Sequence, residues 1–195
     1  ANMRLSLVIL TWNSLPLLKT CLSSVEKNTI LDDYEVIIID NNSQDGTNDF
    51  LKTVDNDRYH LIYNSKNRGV GPARNQGLEI ANGEYILILD VDTVVTQNSI
   101  DRLVKYLDSN PECGIVAPRL TDINGCLQYT CRDFPTIVSK FLRRMTFKWA
   151  KEMLVKEEMC DWDHNTVREV DYVIGACQLI RKSLIKMVGL LDGNI

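Results

Sequence analysis

The stretch Tyr85-Ile86-Leu87-Ile88-Leu89-Asp90-Val91-Asp92 constrains this chain more than any other. Its apolar part reads as a strand covered on both faces, and such a strand has no use for an acid at its tip. Here there are two acids, one residue apart. Where a parallel strand opens into the crevice at its carboxyl end, carboxylates at that spacing can hold a divalent cation and, through it, a diphosphate. An Asp-x-Asp by itself is more often a turn. Its force comes from the segments that precede it.

Leu5-Ser6-Leu7-Val8-Ile9-Leu10 is a second run of the same kind, and Tyr34-Glu35-Val36-Ile37-Ile38-Ile39-Asp40 a third. Between the first two, Ser14 is placed to cap a helix with Pro16 in its first turn, turning Leu17, Leu18, Cys21, Leu22 and Val25 inward. Turn formers at 41–46 lead to a helix from Thr47, and a short strand follows at 61–63. A helix is expected over 73–81, closed by Asn82-Gly83, and another over about 97–109, ended by Pro111. Residues 114–117 are again strand-like. Alternating strand and helix means right-handed crossovers and a mostly parallel, Rossmann-like sheet flanked by helices.

The texture changes after Pro118. Residues 120–131 read as a hairpin turning at Asn124-Gly125. Residues 135–160 read as a basic amphipathic helix and its exit, and 170–180 as a strand entering a small antiparallel element. A last helix covers about 182–188. At 195 residues, 45% hydrophobic, the chain is long enough for one domain of this kind. Its nucleotide-binding part is expected over about 3–118 and its acceptor-side part over about 119–195.

A net charge of −4 and a pI near 5.2 argue against a nucleic-acid partner. Locally the balance reverses: Lys140, Arg143, Arg144, Lys148 and Lys151 are interleaved with Phe141, Leu142, Met145, Phe147 and Trp149. Two readings stay open for 140–151, a solvated helix face or peripheral contact with an anionic membrane surface or lipid-phosphate acceptor. The six cysteines form no Cys-x-x-Cys pair and fit no zinc framework, which reads as reduced thiols in a cytoplasmic protein. No apolar run approaches the length of a membrane span.

The chemistry gathers at strand ends. Thr11 and Asn13 follow the first strand, Asp40 and Asn42 the second, and in a parallel sheet those tips line one edge of the ligand crevice. A base with a ring N–H between carbonyls, such as uracil or thymine, offers a donor that Asp40 can accept. Asp40 would equally serve to cap its turn. Asn67-Arg68-Gly69-Val70-Gly71-Pro72-Ala73-Arg74-Asn75 opens a helix whose N–H groups favour an anion, with glycines that let backbone come close. Arg74 can bond or stack against a base, or stand as a surface arginine. Of the paired acids, Asp92 at the outer end is the first choice of metal ligand, for Mg2+ or Mn2+. Asp90, nearer the sheet, meets the ribose or a metal-bound water.

Together Val8–Asn13, Ile38–Thr47, Asn67–Asn75 and Asp90–Asp92 resemble family 2 glycosyltransferases of the A-type nucleotide-diphospho-sugar fold. Val170–Ala176, with Ile180-Arg181-Lys182 through Gly189 and Asp192, is similar to the bacterial rhamnosyltransferase-like branch. The resemblance covers nearly the whole chain. It implies inverting transfer of a sugar from a UDP- or TDP-sugar to a saccharide or lipid-linked acceptor hydroxyl. It implies that Asp40 and Arg74 hold the base and that Asp90 and Asp92 serve ribose and metal. Gly175 and Ala176 would lie beside the sugar and acceptor, with no side chain to block them.

In that branch the catalytic base is an Asp in a Glu-Asp motif shortly beyond the segment matching Gly189–Asp192, so here it is expected beyond Ile195. Asp171 and Asp192 are the nearby acids, and the family pattern assigns the role to neither. Two other readings remain. A catalytically inert nucleotide-sugar binding module would share the donor site without turnover. A sugar nucleotidyltransferase would want a Gly-rich basic loop after the first strand, which Thr11–Pro16 does not supply. A dinucleotide oxidoreductase is disfavoured because no Gly-x-Gly-x-x-Gly follows that strand.

Overall fold

Three apolar runs do form the middle of one sheet. In this computed structural model, which describes residues 3–54, 56–134 and 158–193, they are β1 (Leu5–Thr11), β2 (Tyr34–Asp40) and β4 (Tyr85–Asp90). Every residue of β2 is buried, as are the first five of β1 and of β4. Continuous burial is what helices on both faces require of a parallel strand. Each such Leu or Ile contributes roughly 1.5–3 kcal/mol by leaving water. β3 (Tyr59–Tyr63) lies at the edge beyond β2 and is only partly covered.

The helices are α1 (Leu15–Asn28), α2 (Thr47–Thr53), α3 (Val70–Ile80) and α4 (Ser99–Ser109), followed by β5 (Ile115–Val116). Ser14 stands at the N-cap of α1, but its hydroxyl donates to the Trp12 carbonyl instead of capping. Asp45 supplies the cap, accepting the Leu15 N–H at 2.9 Å. Leu17, expected inside, is 47% exposed, and Ser24 takes the inward position. α3 begins three residues before the expected Ala73, with Gly69 at its N-cap in a positive-φ conformation.

The larger departure is at the sheet's other side. β10 (Cys177–Arg181) runs antiparallel between β4 and β5, giving the order β3-β2-β1-β4-β10-β5. The run expected as one strand over 170–180 is therefore two. β9 (Tyr172–Val173) pairs with β8 (Cys131–Arg132), and β10 enters the main sheet. The hairpin of β6 (Leu120–Thr121) and β7 (Leu127–Gln128) closes around Gly125 in the left-handed region, and Cys131 belongs to the next ladder. The final helix, α5 (Lys182–Val188), is where it was expected.

Two compact units result, Ala1–Ala117 with Gly175–Ile195, and Pro118–Ile174. The sequence reading put all of 119–195 on the acceptor side, whereas residues from Gly175 onward complete the first unit. Arg181 fastens β10 there, bonding the carbonyls of Cys113 at 2.8 Å and Asn110 at 2.9 Å. Glu35 is buried in the same unit, where the Ser6 hydroxyl donates to it at 2.5 Å, the Asn82 N–H at 2.6 Å, and His60 stands at 3.1 Å. The basic segment 140–151 lies outside the described residues.

Candidate functional site

Register decides which tips meet. Thr11 is paired with Asp40 across β1 and β2, and Leu10 with Asp90 across β1 and β4. Thr11, Asp40 and Asp90 therefore share the carboxyl edge of three adjacent strands. Thr11 is 1% exposed and its Oγ1 has no hydrogen-bond partner in the structure, a costly state for a buried hydroxyl. Asp40 is also buried, and its Oδ1 accepts the Ser43 N–H at 3.1 Å, so it does cap its turn.

Asn13 and the 41–44 loop lock together. Asn13, in the left-handed region, accepts the Gln44 N–H at 2.7 Å, and its own N–H donates to Ser43 Oγ at 2.8 Å. Asn42 shares that conformation and accepts Gln44 Nε2 at 3.2 Å. Asn67 accepts the Gly69 N–H at 2.9 Å and Asn41 Nδ2 at 2.8 Å, which shapes the start of α3.

Asn41 is the residue that the sequence reading passed over. Only 2% exposed, it also accepts the Arg68 N–H at 3.0 Å and Asn64 Nδ2 at 3.1 Å. One side chain thus ties the exit of β2 to the loop before α3. The signal was the Asn-Asn doublet after a buried strand, where alternation turns one of the pair inward.

Arg74 and Asp90, assigned separately to base and ribose, are bonded to each other through Nη2 and Oδ1. The same Nη2 donates to the Gly175 carbonyl at 3.1 Å, and the Ala176 carbonyl accepts the Asp90 N–H at 2.8 Å. Burial pushes the Asp90 carboxyl above the usual carboxylate range; Arg74 pulls it back, and the Asp92 charge adds to the rise. Asp92 is exposed. Cys21 and Cys177 are buried near these acids, and burial with the adjoining negative charge pushes both thiols up to about 12. Both are therefore neutral, unreactive core groups.

The part-buried Asp90 and the exposed Asp92 offer two hard carboxylates one residue apart, and among the described residues no group of three or more His, Cys, Asp or Glu side chains could hold a metal ion. That suits Mg2+ or Mn2+, which take one or two carboxylates and complete their sphere with phosphate and water. Asp171 accepts the Phe134 N–H at 2.7 Å within the second unit.

Solved structures share this architecture. The mannosyltransferase PcManGT of Pyrobaculum calidifontis, in complex with GDP-Man and Mn2+, aligns over 98% of this chain and 48% of its own, with a TM-score of 0.67 at 21% identity. S. aureus TarS aligns over 95% and 49%, with a TM-score of 0.63 at 18% identity. The fold is thus the A-type nucleotide-diphospho-sugar transferase fold. The family described as Glycosyl transferase family 2 matches residues 6–188, and the chain belongs to that family.

Among curated relatives, the poly-beta-1,6-N-acetyl-D-glucosamine synthase of Staphylococcus aureus is 31% identical over 83% of this chain and 35% of its own length. The poly(ribitol-phosphate) beta-glucosyltransferase of Bacillus spizizenii is 32% identical over 63% of this chain and 20% of its own length. The chain thus spans about a third or less of these two curated relatives.

Proposed function

We propose that this chain holds the nucleotide-sugar donor of an inverting glycosyltransferase, which moves a sugar from a UDP- or TDP-sugar to a saccharide or lipid-linked hydroxyl with Mg2+ or Mn2+ assisting. The observation that carries this reading is the unpartnered, buried hydroxyl of Thr11 beside Asp40, one strand from Asp90. Ligands bind at that edge in such sheets, and the Thr11 hydroxyl there has a hydrogen bond still to make, which supports the reading. Thr11 and Asp40 take the base. Asn13, Asn42, Asn67 and Gly69 shape the walls around it.

Asp92, with Asp90, would hold the cation, which stabilises charge on the departing diphosphate. Arg74 serves base or diphosphate, and Gly175 and Ala176 border the sugar and acceptor. The base that deprotonates the acceptor is expected beyond Ile195. Relatives support a nucleotide-sugar donor: a TarS structure contains UDP-GlcNAc, and PcManGT was captured with GDP-Man and Mn2+. A cytoplasmic setting is the expectation from the sequence, with 140–151, outside the described residues, either a solvated helix face or a peripheral contact with the inner membrane face. Among the described residues no helix is long and apolar enough to cross a membrane.

Calorimetry with UDP, TDP and GDP, with and without Mn2+, tests this. UDP or TDP should bind with metal dependence that Asp92→Ala removes. Binding of none of them, or binding indifferent to metal and to Asp92→Ala, would retire the donor-site reading or its metal half respectively.

A further inference from the structure

Gly175 and Arg74 fit each other closely. A Cβ added at Gly175 would stand 2.8 Å from Arg74 Nη1, while the Gly175 carbonyl holds Nη2 at 3.1 Å. The guanidinium occupies the space a side chain at Gly175 would take, so a Cβ there would push it off that seat, from which it reaches Oδ1 of Asp90. Arg74 is 13% exposed and Asp90 39% exposed, so the carboxylate is open to solvent on a side the guanidinium does not cover. Two cations at contact distance from one carboxylate repel strongly where solvent screens only in part.

We propose that Arg74 is the resident counter-cation of Asp90 in the donor-free protein, that an arriving divalent cation displaces it, and that Gly175 is the positioning residue that makes its seat. The inference rests on Asp90 and Asp92 being the metal site proposed above. Displacement frees a planar cation with five N–H donors at the start of α3, where a base or diphosphate arrives with the metal. The Ala176 carbonyl keeps hold of the Asp90 N–H, so the strand tip stays while the side-chain partner changes.

Uptake of Mn2+ by the nucleotide-free chain, followed through the paramagnetic signal of free Mn2+, tests the exchange. Arg74→Ala and Gly175→Ala should each bind Mn2+ about fivefold or more tighter than the unsubstituted chain, a typical coupling between two sites. Gly175→Ala keeps every charge, so tightening by Arg74→Ala alone would be plain electrostatics and would overturn the proposal. Unchanged or weaker uptake in both variants would overturn it too. If Gly175→Ala does not fold, Arg74→Lys replaces it. That variant keeps the charge but is one atom too short to put a nitrogen where Nη2 bonds both Asp90 and Gly175, and is likewise expected to take up Mn2+ more tightly than the unsubstituted chain. No Mn2+ uptake by any chain, with or without UDP, or uptake indifferent to Asp92→Asn, would remove the metal reading and this proposal together. A metal site lost in Asp92→Asn but unmoved by Arg74→Ala, Gly175→Ala and Arg74→Lys would remove the proposal alone.

Discussion

The side chain of Asn75 and the backbone of Leu191 bond each other in both directions, Nδ2 to the carbonyl at 2.8 Å and the N–H to Oδ1 at 2.9 Å. Beside them a Cβ on Gly71 would lie 2.9 Å from the Asp192 carbonyl, so residues 191–192 rest directly on the first turn of α3. Asn75→Ala removes both bonds at once, at about 1–2 kcal/mol for two partly exposed hydrogen bonds. The unfolding midpoint should fall accordingly, and amide exchange at 190–193 should quicken. Unchanged exchange would mean that packing alone holds the segment.

Thr11→Val should act with opposite sign on stability and on binding. Replacing a buried, unpartnered hydroxyl by a methyl of the same shape is expected to stabilise the free chain by about 1 kcal/mol. It should also weaken UDP binding roughly tenfold, the worth of one hydrogen bond. Thermal unfolding and calorimetry on the same preparation read both. Lower stability in Thr11→Val would show that the hydroxyl is satisfied in solution.

Glu35 should make the fold acid-sensitive. Burial pushes its carboxyl up, but the hydrogen bonds from Ser6 and Asn82 and the neighbouring His60 together hold it below the usual range of a glutamate. A depressed folded-state value stabilises the protein above the unfolded value and is lost as pH falls through the folded one. Glu35→Gln should lower stability near neutral pH and flatten the loss of stability below about pH 4.5. Urea unfolding at pH 7 and pH 4 compares the slopes; parallel losses in both chains would remove Glu35 from the account.

Asp45, not Ser14, is the cap worth testing. Asp45 accepts the Leu15 N–H at 2.9 Å and the Thr47 hydroxyl at 2.6 Å, joining the starts of α1 and α2. Asp45→Ala is expected to cost about 1 kcal/mol and Ser14→Ala a few tenths, the reverse of what residue preference suggests. Paired denaturant titrations decide it.

The middle of this fold was legible because β1, β2 and β4 are near-continuous apolar runs, a pattern that only a doubly covered sheet demands. What escaped was non-local. Nothing in Cys177-Gln178-Leu179-Ile180-Arg181 says that it inserts between β4 and β5, since pairing partners some ninety residues apart leave no mark on local pattern. The site divided in the same way. Strand-tip residues could be named from position, because parallel tips must share an edge. Their mutual bonds could not, so Arg74 and Asp90 received separate roles and Asn41 passed as a turn former. Ser14 misled because a good N-cap residue stood where a longer-range partner already did the work.

The antiparallel place of β10 also sets an order of events during synthesis. β1, β2, β3 and β4 can pair as soon as they leave the ribosome, but the flank of β4 stays an open edge until residue 181 has emerged. A chain halted near residue 118 would present that edge to any passing strand. The first unit is therefore not a piece that can be cut out at its apparent boundary. Its last central strand is made only after the whole of the second unit has been.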